Sequence, residues 1–133
     1  MNRTLFSGRA VLLLGLMAMH PVSAGAAAQD YELTLLNNDI RQGREAMVEL
    51  RLTDRRSGAP VSDAIIFNTA LDMAPDGMPD MGTAIEPVGA SEPGIYHFKA
   101  DLSMSGGWRL RIGMMIQGEP EPVERDLILK VSP

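Results

Sequence analysis

Beyond residue 28 the chain alternates apolar and polar side chains with a period of two. In "YELTLLN", Tyr31, Leu33 and Leu35 share one face. "EAMVELRLTD" alternates more regularly: Ala46, Val48, Leu50 and Leu52 face one way, and Met47, Glu49, Arg51 and Thr53 the other. That is the mark of an antiparallel strand with one face buried. "DRRSGAP" then supplies the Gly and Pro of a tight connection. "VSDAIIFNTAL" is rich in β-branched residues and is expected to be buried on both faces near residues 65–67. "GTAIEPVGA" predicts a weak edge strand, because Pro87 cannot donate to a ladder. After the turn "SEPG", "GIYHFKADL" sets Tyr96, Phe98 and Ala100 against His97 and Lys99. "GGWRLRIGMMIQ" places Trp108, Leu110, Ile112, Met114 and Ile116 inward, with Arg109, Arg111, Met115 and Gln117 outward. "GEPEP" breaks the chain, and "VERDLILKV" ends it with Leu127, Leu129 and Val131 in alternation.

Seven short strands and no helix beyond the N-terminal segment predict an all-β fold, a seven-stranded immunoglobulin-like β-sandwich. A sandwich of this kind carries its function on the loops at its ends.

The first 28 residues read differently. Arg3 and Arg9 precede the apolar run "AVLLLGLMAM", which His20 and Pro21 stop before the small residues of "VSAGAAAQD". This is the layout of a secretory signal peptide, with cleavage expected after Ala24, Ala26 or Ala28. The run is too short to cross a hydrocarbon layer of about 30 Å as a helix, so no stable membrane span is expected. The domain proper is then residues 29–133, and the expected location is the periplasm.

Cleavage also sharpens the charge. The whole chain carries 12 basic and 17 acidic residues, a net −5. Two of the basic residues and none of the acidic ones lie before residue 29, so ten against 17 remain, a net −7. That balance excludes a basic nucleic-acid footprint and attracts cations weakly. With no cysteine, the core must hold without disulfides, and thiolate zinc sites and thiol nucleophiles are excluded. No nucleophile motif, phosphate loop or distinguishable pair of carboxylates stands out, so an enzyme is not expected.

The stretch "LDMAPDGMPDMG", residues 71–82, is the richest in chemistry. Pro75, Gly77, Pro79 and Gly82 forbid a continuous helix or strand, which predicts a loop at one end of the sandwich. Thioethers are soft ligands suited to Cu(I). They have no proton to lose and, unlike thiols, cannot be trapped as disulfides outside the cytoplasm. Met78 and Met81 are three apart, Met73 ends the preceding strand, and Met104 lies in the turn before Trp108. His97, the only histidine beyond residue 28, offers an imidazole nitrogen. The candidate ligands are Met78, Met81 and Met104 first, then Met73 and His97. The competing expectation is packing: methionine fills core gaps, and Met78 and Met81 can cap the sandwich against Trp108. Asp72, Asp76 and Asp80 lack the spacing of a calcium loop and are expected to favour turns. Arg109 and Arg111 share a face and are expected to pair with acidic residues across strands.

Three blocks carry a resemblance: "LTDRRSGAPVSDAII", "DMAPDGMPDMG" and "GIYHFKADLSMSGGWRLRI", the last with its Met-x-Gly-x-Trp-Arg core. Together they resemble the YtkA-like domain, related to the FixH family, over roughly residues 31–131. The resemblance implies a small exported sandwich of bacterial envelopes, often near metal handling. FixH-type relatives are linked to assembly of copper-containing respiratory oxidases and are membrane-anchored, whereas the apolar segment here reads as cleavable. The expected function is periplasmic copper binding, as Cu(I), for delivery to or buffering before an envelope protein acceptor. The alternative is a metal-free structural or interaction domain, or an accessory subunit of an envelope complex.

Overall fold

A computed structural model describes residues 26–89 and 92–133. The signal peptide expected at residues 1–28 lies outside the described residues as far as residue 25. The described chain begins with a single helical turn, Ala26–Gln29. No helix among the described residues is long and apolar enough to cross a membrane.

Nine strands follow: β1 Tyr31–Leu35, β2 Ile40–Arg41, β3 Gly43–Asp54, β4 Ile65–Met73, β5 Met78–Thr83, β6 Ile85–Pro87, β7 Ile95–Leu102, β8 Gly106–Met115 and β9 Val123–Ser132. They form a four-stranded sheet in the order β1-β3-β7-β6 and a five-stranded sheet in the order β2-β9-β8-β4-β5. The first sheet and the β9-β8-β4 core of the second have the strand order of an immunoglobulin-like sandwich.

Among the described residues the expected seven strands are corrected to nine, and the reason is strand switching. Residues 36–39 carry the chain from β1 in one sheet to β2 in the other. Ala84 does the same between β5 and β6, where its carbonyl accepts from the Asp101 N–H at 3.1 Å. β2 is two residues long and pairs in parallel with β9, too short to register as alternation.

The alternation otherwise describes the core. Val48, Leu50 and Leu52 of β3 and Phe98, Ala100 and Leu102 of β7 point inward against Trp108, Leu110, Ile112 and Met114 of β8 and Leu129 and Val131 of β9. Each fully buried large side chain contributes about 1.5–3 kcal/mol, which is how a chain without disulfides holds together.

Residues 65–67 correct a second expectation. Ile65 is 69 % and Phe67 52 % exposed. Ile66 pairs with Met114 and Asn68 with Gly113, leaving Phe67 as the extra residue of a bulge. The bulge turns Phe67 onto the outer face of the sheet, where its ring lies over Gly113. A side chain on Gly113 would begin 2.7 Å from the ring Cζ.

Candidate functional site

The methionine-rich stretch is more regular than its prolines and glycines suggest. Leu71–Met73 is the end of β4, Ala74–Asp76 is a 3-10 turn, and Met78 onward is β5. The expected twelve-residue loop is therefore corrected to a β4–β5 hairpin. Pro79 is tolerated because β5 is an edge strand whose register is broken there. Asp72 pairs with Gly82 and Met73 with Met78, so one step on β4 matches four on β5. Pro79, Asp80 and Met81 bulge from the sheet.

Two carboxylates build the hairpin tip. Asp72 accepts the Ala74 N–H on Oδ1 at 2.9 Å, and Arg109 Nε and Nη2 on Oδ2 at 3.2 and 2.8 Å. Arg111 stands 4.0 Å from the same oxygen. The hydrogen bond from Arg109 holds the Asp72 carboxyl below the usual carboxylate range, against the effect of burial and with help from the Ala74 N–H. Asp76 reaches across to β8, where Oδ2 accepts the Gly107 N–H at 3.0 Å. Gly106, at φ 132°, permits that approach: a side chain there would collide with the Asp76 carboxylate and sit 3.1 Å from the Met73 methyl. Asp72 is the cross-strand acidic partner expected for Arg109, and its bond to Ala74 is the turn expected of that aspartate; the link from Asp76 to Gly107 was not foreseen.

The same contacts place the β7–β8 turn beside the hairpin. Thr83 Oγ1 donates to the Asp101 carbonyl at 2.7 Å. The indole N–H of Trp108 donates to the Met104 carbonyl at 3.0 Å, which pins that turn. Met73, Met78, Met81 and Met104 thus belong to one end of the sandwich. Their exposure differs. Met73 is 1 % exposed, the floor of that end; Met78 is half-buried and packs on the core; Met81 and Met104 are 39 % and 43 % exposed.

His97 is not with them. It lies on the outer face of the other sheet, where its Nδ1 is 3.4 Å from Glu49 Oε1. Leu102 is five positions further along β7, about 16 Å along the strand. Among the described residues no three His, Asp or Glu side chains converge as a metal site.

The opposite end carries a polar cluster that sequence reading missed. Tyr31 Oη donates to Glu119 Oε1 at 2.7 Å, while Arg56 donates to Tyr31 Oη at 3.1 Å and holds Asp54 at 3.0 Å. Tyr31, Glu119 and the Asp54–Arg56 turn are far apart in sequence, and no local pattern announces their meeting. Burial first, then Glu119, pushes the Tyr31 hydroxyl up to about 12.

Fold and site together define a small immunoglobulin-like sandwich with a methionine-bearing hairpin end. The YtkA-like family model matches residues 25–113, and the chain belongs to that family. No curated protein sequence matches it. Among solved structures it is similar to the Lin-41 filamin domain, at 14 % identity and a TM-score of 0.46 over 75 % of this chain and 91 % of that one. It is also similar to the ZirS C-terminal domain, at 9 % identity and a TM-score of 0.45 over 100 % of this chain and 86 % of that one.

Proposed function

We propose that this protein is a periplasmic copper-binding module that holds Cu(I) through thioethers at the hairpin end and passes the ion to an envelope protein acceptor. It binds and transfers; it transforms no substrate. The observation that carries the reading is that Met78, Met81 and Met104 all lie on segments at one end of the sandwich, with the buried Met73 on the same hairpin. Two or three neutral sulfurs suit a soft monovalent ion. Two of the nearby carboxylates are engaged in shaping the end: Asp72 by Arg109 and Asp76 by the Gly107 N–H. His97 has no part in this reading, because it stands on the other sheet.

Anaerobic titration of the purified protein with Cu(I) against a competing chelator tests it. One ion per chain is expected. Replacing Met78, Met81 and Met104 together by Leu should weaken binding by at least about tenfold with the fold intact. Unchanged affinity in that variant would remove the site.

A further inference from the structure

The β4–β8 ladder ends at Asp72 and Arg109. Past that point the hairpin tip meets the start of β8 through a side chain, where Asp76 Oδ2 accepts the Gly107 N–H at 3.0 Å. Two glycines make the approach possible. Gly106 stands at φ 132°, where a side chain would run into the Asp76 carboxylate. A side chain on Gly107 would begin 2.9 Å from the Pro75 Cβ. Pro75 and Asp76 therefore lie against bare backbone.

Each partner in this contact belongs to a closed turn that carries a methionine. On the hairpin, Asp72 Oδ1 accepts the Ala74 N–H at 2.9 Å, and the Gly77 N–H donates to the Ala74 carbonyl at 2.9 Å. Pro75 fixes its own φ between them. Met78 follows directly and pairs with Met73. On β8, the Trp108 indole N–H donates to the Met104 carbonyl at 3.0 Å, which ties Met104 to the residue next to Gly107. Asp76 is two positions from Met78, and Gly107 is three from Met104. The Asp76 side chain is exposed, so its replacement removes no core packing.

We propose that Asp76 is a positioning residue: its carboxylate fastens the turn bearing Met78 to the turn bearing Met104, and so sets the spacing of the thioethers that take Cu(I). The inference rests on the copper reading and deepens it. Asp76 acts here as the acceptor for one backbone N–H, neither as a metal ligand nor as a diffuse negative charge. A group that orients ligands from outside the coordination sphere changes metal affinity by roughly 10–100-fold.

Two variants separate these roles. Asp76→Ala removes the acceptor. Asp76→Asn removes the charge but keeps an amide oxygen able to accept the Gly107 N–H. Anaerobic Cu(I) titration against a chelator is run on both variants and on the unsubstituted protein. Hydrogen exchange of the Gly107 amide is followed beside it in the metal-free state. Asp76→Ala should speed that exchange and weaken Cu(I) binding by about tenfold. Asp76→Asn should keep the amide protected and the affinity unchanged. A purely structural role would lower the urea midpoint of Asp76→Ala and leave the affinity of its folded form alone. That result, with Cu(I) still bound by the unsubstituted protein, overturns the positioning role and spares the copper reading. Equal weakening in both variants also overturns it, because the charge or a carboxylate ligand would then be responsible. So does a Gly107 amide that exchanges equally with and without the acceptor. No uptake of Cu(I) by the unsubstituted protein would overturn the copper reading and the positioning role with it.

Discussion

Asp72 and Arg109 face each other across β4 and β8, with two guanidinium nitrogens donating to one carboxylate oxygen at 2.8 and 3.2 Å. The pair closes the methionine hairpin onto the central strand of its sheet, because the other oxygen of Asp72 caps Ala74. Asp72 keeps its proton off to a lower pH in the folded chain than its ordinary 3.8. The stabilising contribution is therefore complete at neutral pH and is lost as pH falls through the lowered value. Asp72→Asn should lower stability at pH 7 and make the acid limb of the pH profile shallower. Denaturation midpoints between pH 2 and pH 7, on both proteins, check this; parallel profiles would deny the pair its role.

At the other end the sign reverses. The unfolded Tyr31 ionises near 10.0, and the folded one holds its proton to about 12. Tyr96 is raised as well, chiefly by burial. Stability should fall as pH rises above 10, since only the unfolded chain releases those protons. Tyrosinate absorbance should lag behind that of the denatured protein. Tyr31→Phe should cost about 1 kcal/mol at neutral pH through the lost hydrogen bond to Glu119, and should remove part of the alkaline decline.

Gly94 sits at φ 74° before β7, and a side chain there would begin 2.6 Å from the Pro60 Cβ and 3.0 Å from the Leu52 carbonyl oxygen. Both neighbours are held: Leu52 N–H donates to the Gly94 carbonyl at 2.8 Å, and Pro60 is fixed by its ring. Left-handed backbone alone costs a non-glycine residue about 1–2 kcal/mol, and the collision adds to it. Gly94→Ala should therefore destabilise the domain by about 2–4 kcal/mol, measured by urea denaturation. A loss under 1 kcal/mol would mean that the Pro60 turn moves aside freely.

How far the sequence could be read follows from where period two holds. β3, β7, β8 and β9 are one-sided strands in the middle of their sheets, and their inward residues were identified by alternation alone. Residues 65–67 misled because three consecutive large apolar side chains read as a doubly buried strand; the bulge that exposes Phe67 depends on Gly113, a partner on another strand. The hairpin misled for the opposite reason. Pro79 and Gly82 look like breakers, and only its place at a sheet edge makes "MPDMGT" a strand. Of the candidate ligands, Met73, Met78, Met81 and Met104 could be grouped from loop order, because consecutive strands in a sandwich share ends. His97 could not be excluded that way: its height along β7 is set by register with Glu49, which no local pattern encodes.

The methionines offer a test that separates packing from binding within one protein. Peroxide attacks thioethers according to access. Met81, Met104, Met47 and Met115 are exposed, while Met73 and Met114 are each 1 % exposed. In the metal-free protein the first four should form sulfoxide first, and the two buried ones roughly tenfold more slowly, through opening of the fold. Met47 and Met115 lie on the outer faces of β3 and β8, away from the hairpin. Cu(I) bound at the proposed site should therefore slow oxidation of Met81 and Met104 and leave Met47 and Met115 unchanged. Peptide mass spectrometry after timed exposure, with and without Cu(I), reads each sulfur separately. Equal protection of all four exposed residues would indicate diffuse binding, and protection of none would leave the hairpin end as packing, with Met78 as its cap.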